Sequence, residues 1–93
     1  MQDKITTEKL EKYIKLTSKA LEIAKKSIAR GKEQKASEIF LMVDCYLSDS
    51  KHFKIKQDYI NSFAAINYAH GWLDSGARLG IFNVKNRELF TIK

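Results

Sequence analysis

The chain has no proline, only four glycines, one cysteine and one tryptophan in 93 residues. Without proline the strongest helix breaker is missing, and glycine and asparagine remain as punctuation. The single cysteine, Cys45, excludes an internal disulfide and suits a reducing compartment. No run of about 18 apolar residues is present, so no membrane span is expected. The opening MQDKITTEKLEK lacks the apolar core of a secretory signal. These absences together lead us to expect a cytoplasmic protein. A chain of this length makes one domain, with a core burying somewhat over about 60% of the unfolded surface.

What is plentiful is charge, and it is uneven. The net charge is +6. Residues 1–35 carry ten Lys and Arg against five Asp and Glu, residues 36–80 carry four against five, and the tail 81–93 adds +2. A basic amino-terminal third attracts nucleic acid or an acidic partner, or else is a well-solvated helix face.

The apolar period predicts helices. Thr6 or Thr7 caps a first helix with Glu8 in its first turn. Leu10, Ile14, Thr17, Leu21, Ala24 and Ile28 recur every three or four residues, and Gly31 reads as the stop, giving a helix over about 7–30. A second helix over about 33–56 carries Ala36, Ile39, Phe40, Val43, Tyr46, Leu47, Ser50 and Phe53 on one stripe. Asp58 caps a third, over about 59–79, which ends at Gly80. The tail 81–93 ends in a β-prone Leu89–Ile92. It has no strand to pair with and is expected to lie on the bundle. The fold class is therefore all-α: an antiparallel three-helix up-down-up bundle with a short docked C-terminal tail, one domain over 1–93.

Three glycines sit in or at the end of the third helix, at about 1 kcal/mol each relative to alanine, so close packing or a cap must offset them. On the same helix Asn67, His70, Asp74 and Arg78 fall within about 80° of one another. His70–Asp74 and Asp74–Arg78 are i,i+4 neighbours. The plainest reading makes this polar row the solvent side of a nearly buried helix. A partly buried network and a site for a polar or anionic ligand are the alternatives. His52, His70, Asp74 and Cys45 show no metal-binding spacing, so no metal or cofactor is expected. Cys45 lies mid-helix with no activating partner. No serine has a patterned base, and no glycine-rich loop follows a strand. The residues therefore assign no catalytic group and no enzyme activity.

Lys12, Lys15, Lys19, Lys26 and Arg30 line about one-sixth of the first helix wheel, as a nucleic-acid face would. Glu8, Glu11 and Glu22 stand four residues before three of those lysines and neutralise much of the row. No aromatic residue lies among them to stack a base. The apolar surplus says more. The first helix adds a second row, including Leu16 and Ile23, and the second places Leu41, Met42 and Cys45 outside its main stripe. A bundle helix meeting two neighbours needs a wide stripe, and whatever remains is covered by the tail or by another subunit. The sequence thus favours a non-enzymatic module that binds a protein partner or itself, with nucleic-acid binding through the first helix second, and no membrane.

The stretch Tyr59–Phe82, YINSFAAINYAHGWLDSGARLGIF, resembles the archaeal family known as domain of unknown function 357. The likeness extends to Tyr46–Phe53 (YLSDSKHF) and the closing Leu89-Phe90-Thr91-Ile92, covering most of the chain from about Thr7. Its most specific part is AHGWLD-x-G-x-RLG. Lys56-Gln57-Asp58-Tyr59 departs from the Lys-Gly-Asp-Tyr expected there, which touches only the turn. The resemblance implies a small three-helix bundle and an archaeal, cytoplasmic source, and no activity.

Overall fold

Three helices and a docked tail make up the computed structural model of the chain, which describes residues 5–90. They are α1 (Thr7–Lys25), α2 (Glu33–Ile55) and α3 (Tyr59–Arg78). Each starts where the side chains allow. Thr6 is the N-cap of α1, its hydroxyl accepting from the Lys9 N–H at 3.1 Å. Asp58 caps α3, accepting from the Asn61 N–H at 3.3 Å.

The side-chain pairings fix the order up-down-up. Glu11 meets Lys54 at 3.0 Å near one end of α1, and Lys25 lies over the Phe40 ring near the other, so α1 and α2 are antiparallel. Tyr13 packs edge-on against Phe63, and Thr17 meets His70, so α1 and α3 run in the same direction. The expected stripes of α1 and α2 are core: Leu10, Ile14, Leu21 and Ala24 of α1 and Ala36, Ile39, Val43 and Leu47 of α2 are buried, and Ile66, Ala69 and Leu73 of α3 join them. Helices α2 and α3 form the closest pair, while α1 leans mainly on α3. Where α2 and α3 come closest, Ser50 and Ser62 exchange hydrogen bonds. Each hydroxyl donates to the other residue's carbonyl, at 2.7 and 2.6 Å, so both buried polar groups are satisfied.

The first helix is shorter than its apolar period suggests. It ends at Lys25, not near residue 30. Beyond it, the Ser27 carbonyl accepts from the Asn83 N–H at 2.7 Å and the Ala29 N–H donates to the Ile81 carbonyl at 2.8 Å. These bonds form an isolated antiparallel bridge, Ile28 to Phe82, that requires extended backbone there. Gly31, at φ +82°, serves the following turn rather than a helix stop. Arg30 consequently leaves the helix that carries the other basic residues.

The tail closes the bundle. Helix α3 ends in a Schellman turn: the Gly80 N–H reaches the Ala77 carbonyl at 3.2 Å and the Ile81 N–H the Gly76 carbonyl at 2.8 Å, with Gly80 at φ +76°. The turn delivers Phe82 into the core, stacked on Phe40 with centroids 5.2 Å apart. A Cβ at Gly76 would lie 2.3 Å from the Phe82 ring, so this glycine makes room for the tail. The chain then returns along α1 and α3. Asn86 Oδ1 accepts from the Glu88 and Leu89 N–H groups at 2.9 and 3.2 Å, and Leu89 and Phe90 are buried. Leu89 and Phe90 thus lie in a turn, not a strand, and the rest of the expected β-prone end, Thr91 and Ile92, lies outside the described residues.

Candidate functional site

The polar row of α3 divides: Asn67 and Arg78 are exposed, His70 and Asp74 half-buried. His70 and Asp74 face α1 and the tail. His70 Nε2 lies 2.6 Å from the Leu89 carbonyl, and Nδ1 lies 3.0 Å from Thr17 Oγ1. A carbonyl only accepts, so Nε2 carries the hydrogen. Nδ1 is then left to bond the Thr17 hydroxyl, which is 2% exposed. Both ring nitrogens are committed to holding α1, α3 and the tail together, and neither is left for a substrate. Asp74 Oδ1 stands 3.7 Å from Nε2. Asn67 lines the same cleft of about 270 Å³ with Tyr13 and Glu88, whereas Arg78 is exposed outside it. Of the four residues in the row, the structure thus joins His70 to Asp74 and seats Asn67 nearby. This is the partly buried network.

The expected basic face is incomplete. Lys12, Lys15, Lys19 and Lys26 are exposed, but Arg30 lies in the turn after α1. Glu8 and Glu11 line the same shallow surface as Lys12 and Lys15. The expected interface residues also divide. Leu16 and Ile23 are half-buried against the chain's own core, and Met42 is half-buried on α2. Leu41 (63% exposed) and Cys45 lie open. Among the described residues no three His, Cys, Asp or Glu side chains come together as a metal site.

The open surface is instead the outer side of α3, opposite the core. Ile60, Tyr68 and Leu79 are 72%, 58% and 72% exposed. Ala64, Gly71 and Ser75 are exposed between them. Trp72 and Tyr68 edge a shallow groove of about 560 Å³ whose floor is Ala64, Asn67, Gly71 and Ser75. Tyr46 of α2 steadies one wall, its ring 4.5 Å from that of Tyr68. A Cβ at Gly71 would meet nothing within 4 Å, so this glycine, unlike Gly76, leaves a hollow in the surface rather than room for the core. The buried indole N–H of Trp72 has no acceptor among the described residues. Between Tyr59 and Ala77 the only charged residue of α3 is Asp74, and it faces the tail cleft. Along the outer face only Arg78, in the last turn, carries charge, on a protein of net charge +6. Sequence reasoning missed it because so much of α3 is apolar or small that both sides of the helix read as core. The signal was the gap in charge itself.

No curated protein and no solved structure matches the chain. No helix among the described residues is long and apolar enough to cross a membrane. A family model matches residues 12–82, spanning all but the first turn and a half of α1, both other helices and the Phe82 anchor. The chain therefore belongs to the family described as "Protein of unknown function (DUF357)".

Proposed function

We propose that this protein is a non-enzymatic, cytoplasmic protein-interaction module. The observation that carries this reading is the apolar outer face of α3, with Ile60, Tyr68 and Leu79 standing open on it. Apolar side chains aligned along about 28 Å of one helix are a surface that another protein covers, whereas scattered exposed apolar residues are ordinary. Tyrosine and tryptophan at its middle supply large contact area at low entropic cost, as recognition surfaces require. The commitment of both His70 nitrogens speaks against a role for that residue as acid or base.

A nucleic-acid role for α1 has less behind it. The row loses Arg30, and acids share its surface. Capture experiments with wild-type and Tyr68→Glu baits test the proposal. A protein, including a tagged copy of this chain, retained by the first and lost with the second supports it. Retention that is indifferent to Tyr68, or salt-sensitive retention of nucleic acid through Lys12 and Lys19, overturns it.

A further inference from the structure

The outer stripe of α3 has a property that its apolarity alone does not require. Ile60, Ala64, Tyr68, Gly71, Ser75 and Leu79 are spaced by four, four, three, four and four residues, the same read in either direction. Laid antiparallel on itself about a two-fold axis level with the Ala69–His70 peptide, the stripe pairs Ile60 with Leu79, Ala64 with Ser75 and Tyr68 with Gly71. Large side chains meet at the ends and small ones meet next to them. At the centre each tyrosine faces the hollow left by the other copy's glycine, where nothing lies within 4 Å of an added Cβ. A two-fold interface needs this self-complementarity, because the same patch serves both subunits. Small residues at the crossing let two helix axes approach to about 8 Å.

Charge selects the same occupant. Two copies of net charge +6 repel, so a contact between them favours the part of the surface with least charge. The outer face of α3 carries a single charge, Arg78 in its last turn, and the antiparallel register holds the two copies of it about 25 Å apart. An acidic protein would match the lysines of α1, not this apolar surface.

Resting on the interaction-module reading, we infer that the partner is a second copy of this chain, with α3 packed antiparallel on α3 and Tyr68 of each copy seated over Gly71 of the other. One helix face about 28 Å long and about 10 Å wide is a small interface, so the dimer is a weak, transient one.

Sedimentation equilibrium of the full chain, wild type and Gly71→Lys, is the test. Lysine fills the hollow, meets nothing in its own subunit and is a better helix former than glycine, so the variant keeps its fold, checked by circular dichroism. The expected result is a wild-type dimer whose dissociation constant rises about 30-fold or more in Gly71→Lys, with no loss of melting temperature. Register is read separately on a Cys45→Ser background. Ala64→Cys chains mixed with Ser75→Cys chains oxidise to the mixed disulfide, while Ala64→Cys alone does not, because its two copies would stand about 16 Å apart. A wild-type dimer indifferent to Gly71→Lys overturns the inference, as does a chain monomeric at every concentration. If that monomer still captures a different protein through Tyr68, the module reading stands and self-association alone is lost.

Discussion

Two glycines of one helix, five residues apart, should respond to the same substitution with opposite sign. At Gly71 an added methyl meets nothing within 4 Å, so Gly71→Ala adds only helix propensity, about 1 kcal/mol of stabilisation. At Gly76 the methyl carbon would lie 2.3 Å from Phe82 Cε2 and 2.9 Å from two further ring atoms. That ring is 2% exposed and stacked on Phe40, so it has nowhere to move without lifting the tail. Overpacking of this kind costs about 1–3 kcal/mol, and the ring's full clamping argues for the upper part of that range. Set against the same gain in propensity, Gly76→Ala destabilises by about 1–2 kcal/mol. Thermal melting followed by circular dichroism, in dilute solution to minimise association, reads both. One kcal/mol moves the midpoint by about 4–8 °C in a domain of this size, so the two variants should separate by about 10 °C or more. Equal shifts of the same sign would refute the assignment of Gly76 to the tail contact and of Gly71 to open surface.

The remaining expectations are simpler. Gln57 closes α2 at φ 61°, a left-handed position that favours glycine. Gln57→Gly should raise stability by about 0.5–1 kcal/mol, the left-handed penalty less glycine's chain entropy, seen as a higher urea midpoint at unchanged slope. Thr17→Val removes the partner of His70 Nδ1 and should cost about 1–2 kcal/mol, with faster amide exchange in the tail around Phe90. Exchange unchanged there would mean that the histidine does not hold the tail. Thr6→Ala deletes the α1 cap and should cost about 1 kcal/mol in the same melting assay.

Much of the fold was legible because local chemistry decides it. Thr6 and Asp58 cap where their side chains permit, and the stripes of α1 and α2 are the buried faces. The end of α1 was not legible, because the groups that stop it, Ile81 and Asn83, lie more than fifty residues away. The polar row was seen, but it divides: Asn67 and Arg78 take the solvent, and His70 and Asp74 turn inward. A helix rich in alanine, glycine and aromatics leaves the eye to assume that charge marks the outside. Here Thr17 and the Leu89 carbonyl draw His70 inward, and the neutral stripe takes the solvent. Of the three glycines expected to be offset by close packing or a cap, Gly76 and Gly80 are, and Gly71 is not. Gly76 yields to Phe82, Gly80 turns the chain, and Gly71 opens the surface.

The account stands or falls on whether the apolar outer side of α3 is where the molecule meets its own kind. Amide chemical shifts followed through a dilution series report this residue by residue. The structure leads us to expect concentration-dependent shifts centred on Tyr68 and Gly71 and extending to Ile60 and Leu79, with Lys12, Lys15 and Lys19 of α1 unmoved. Spectra that do not change on dilution, or that change along α1 instead, would contradict it.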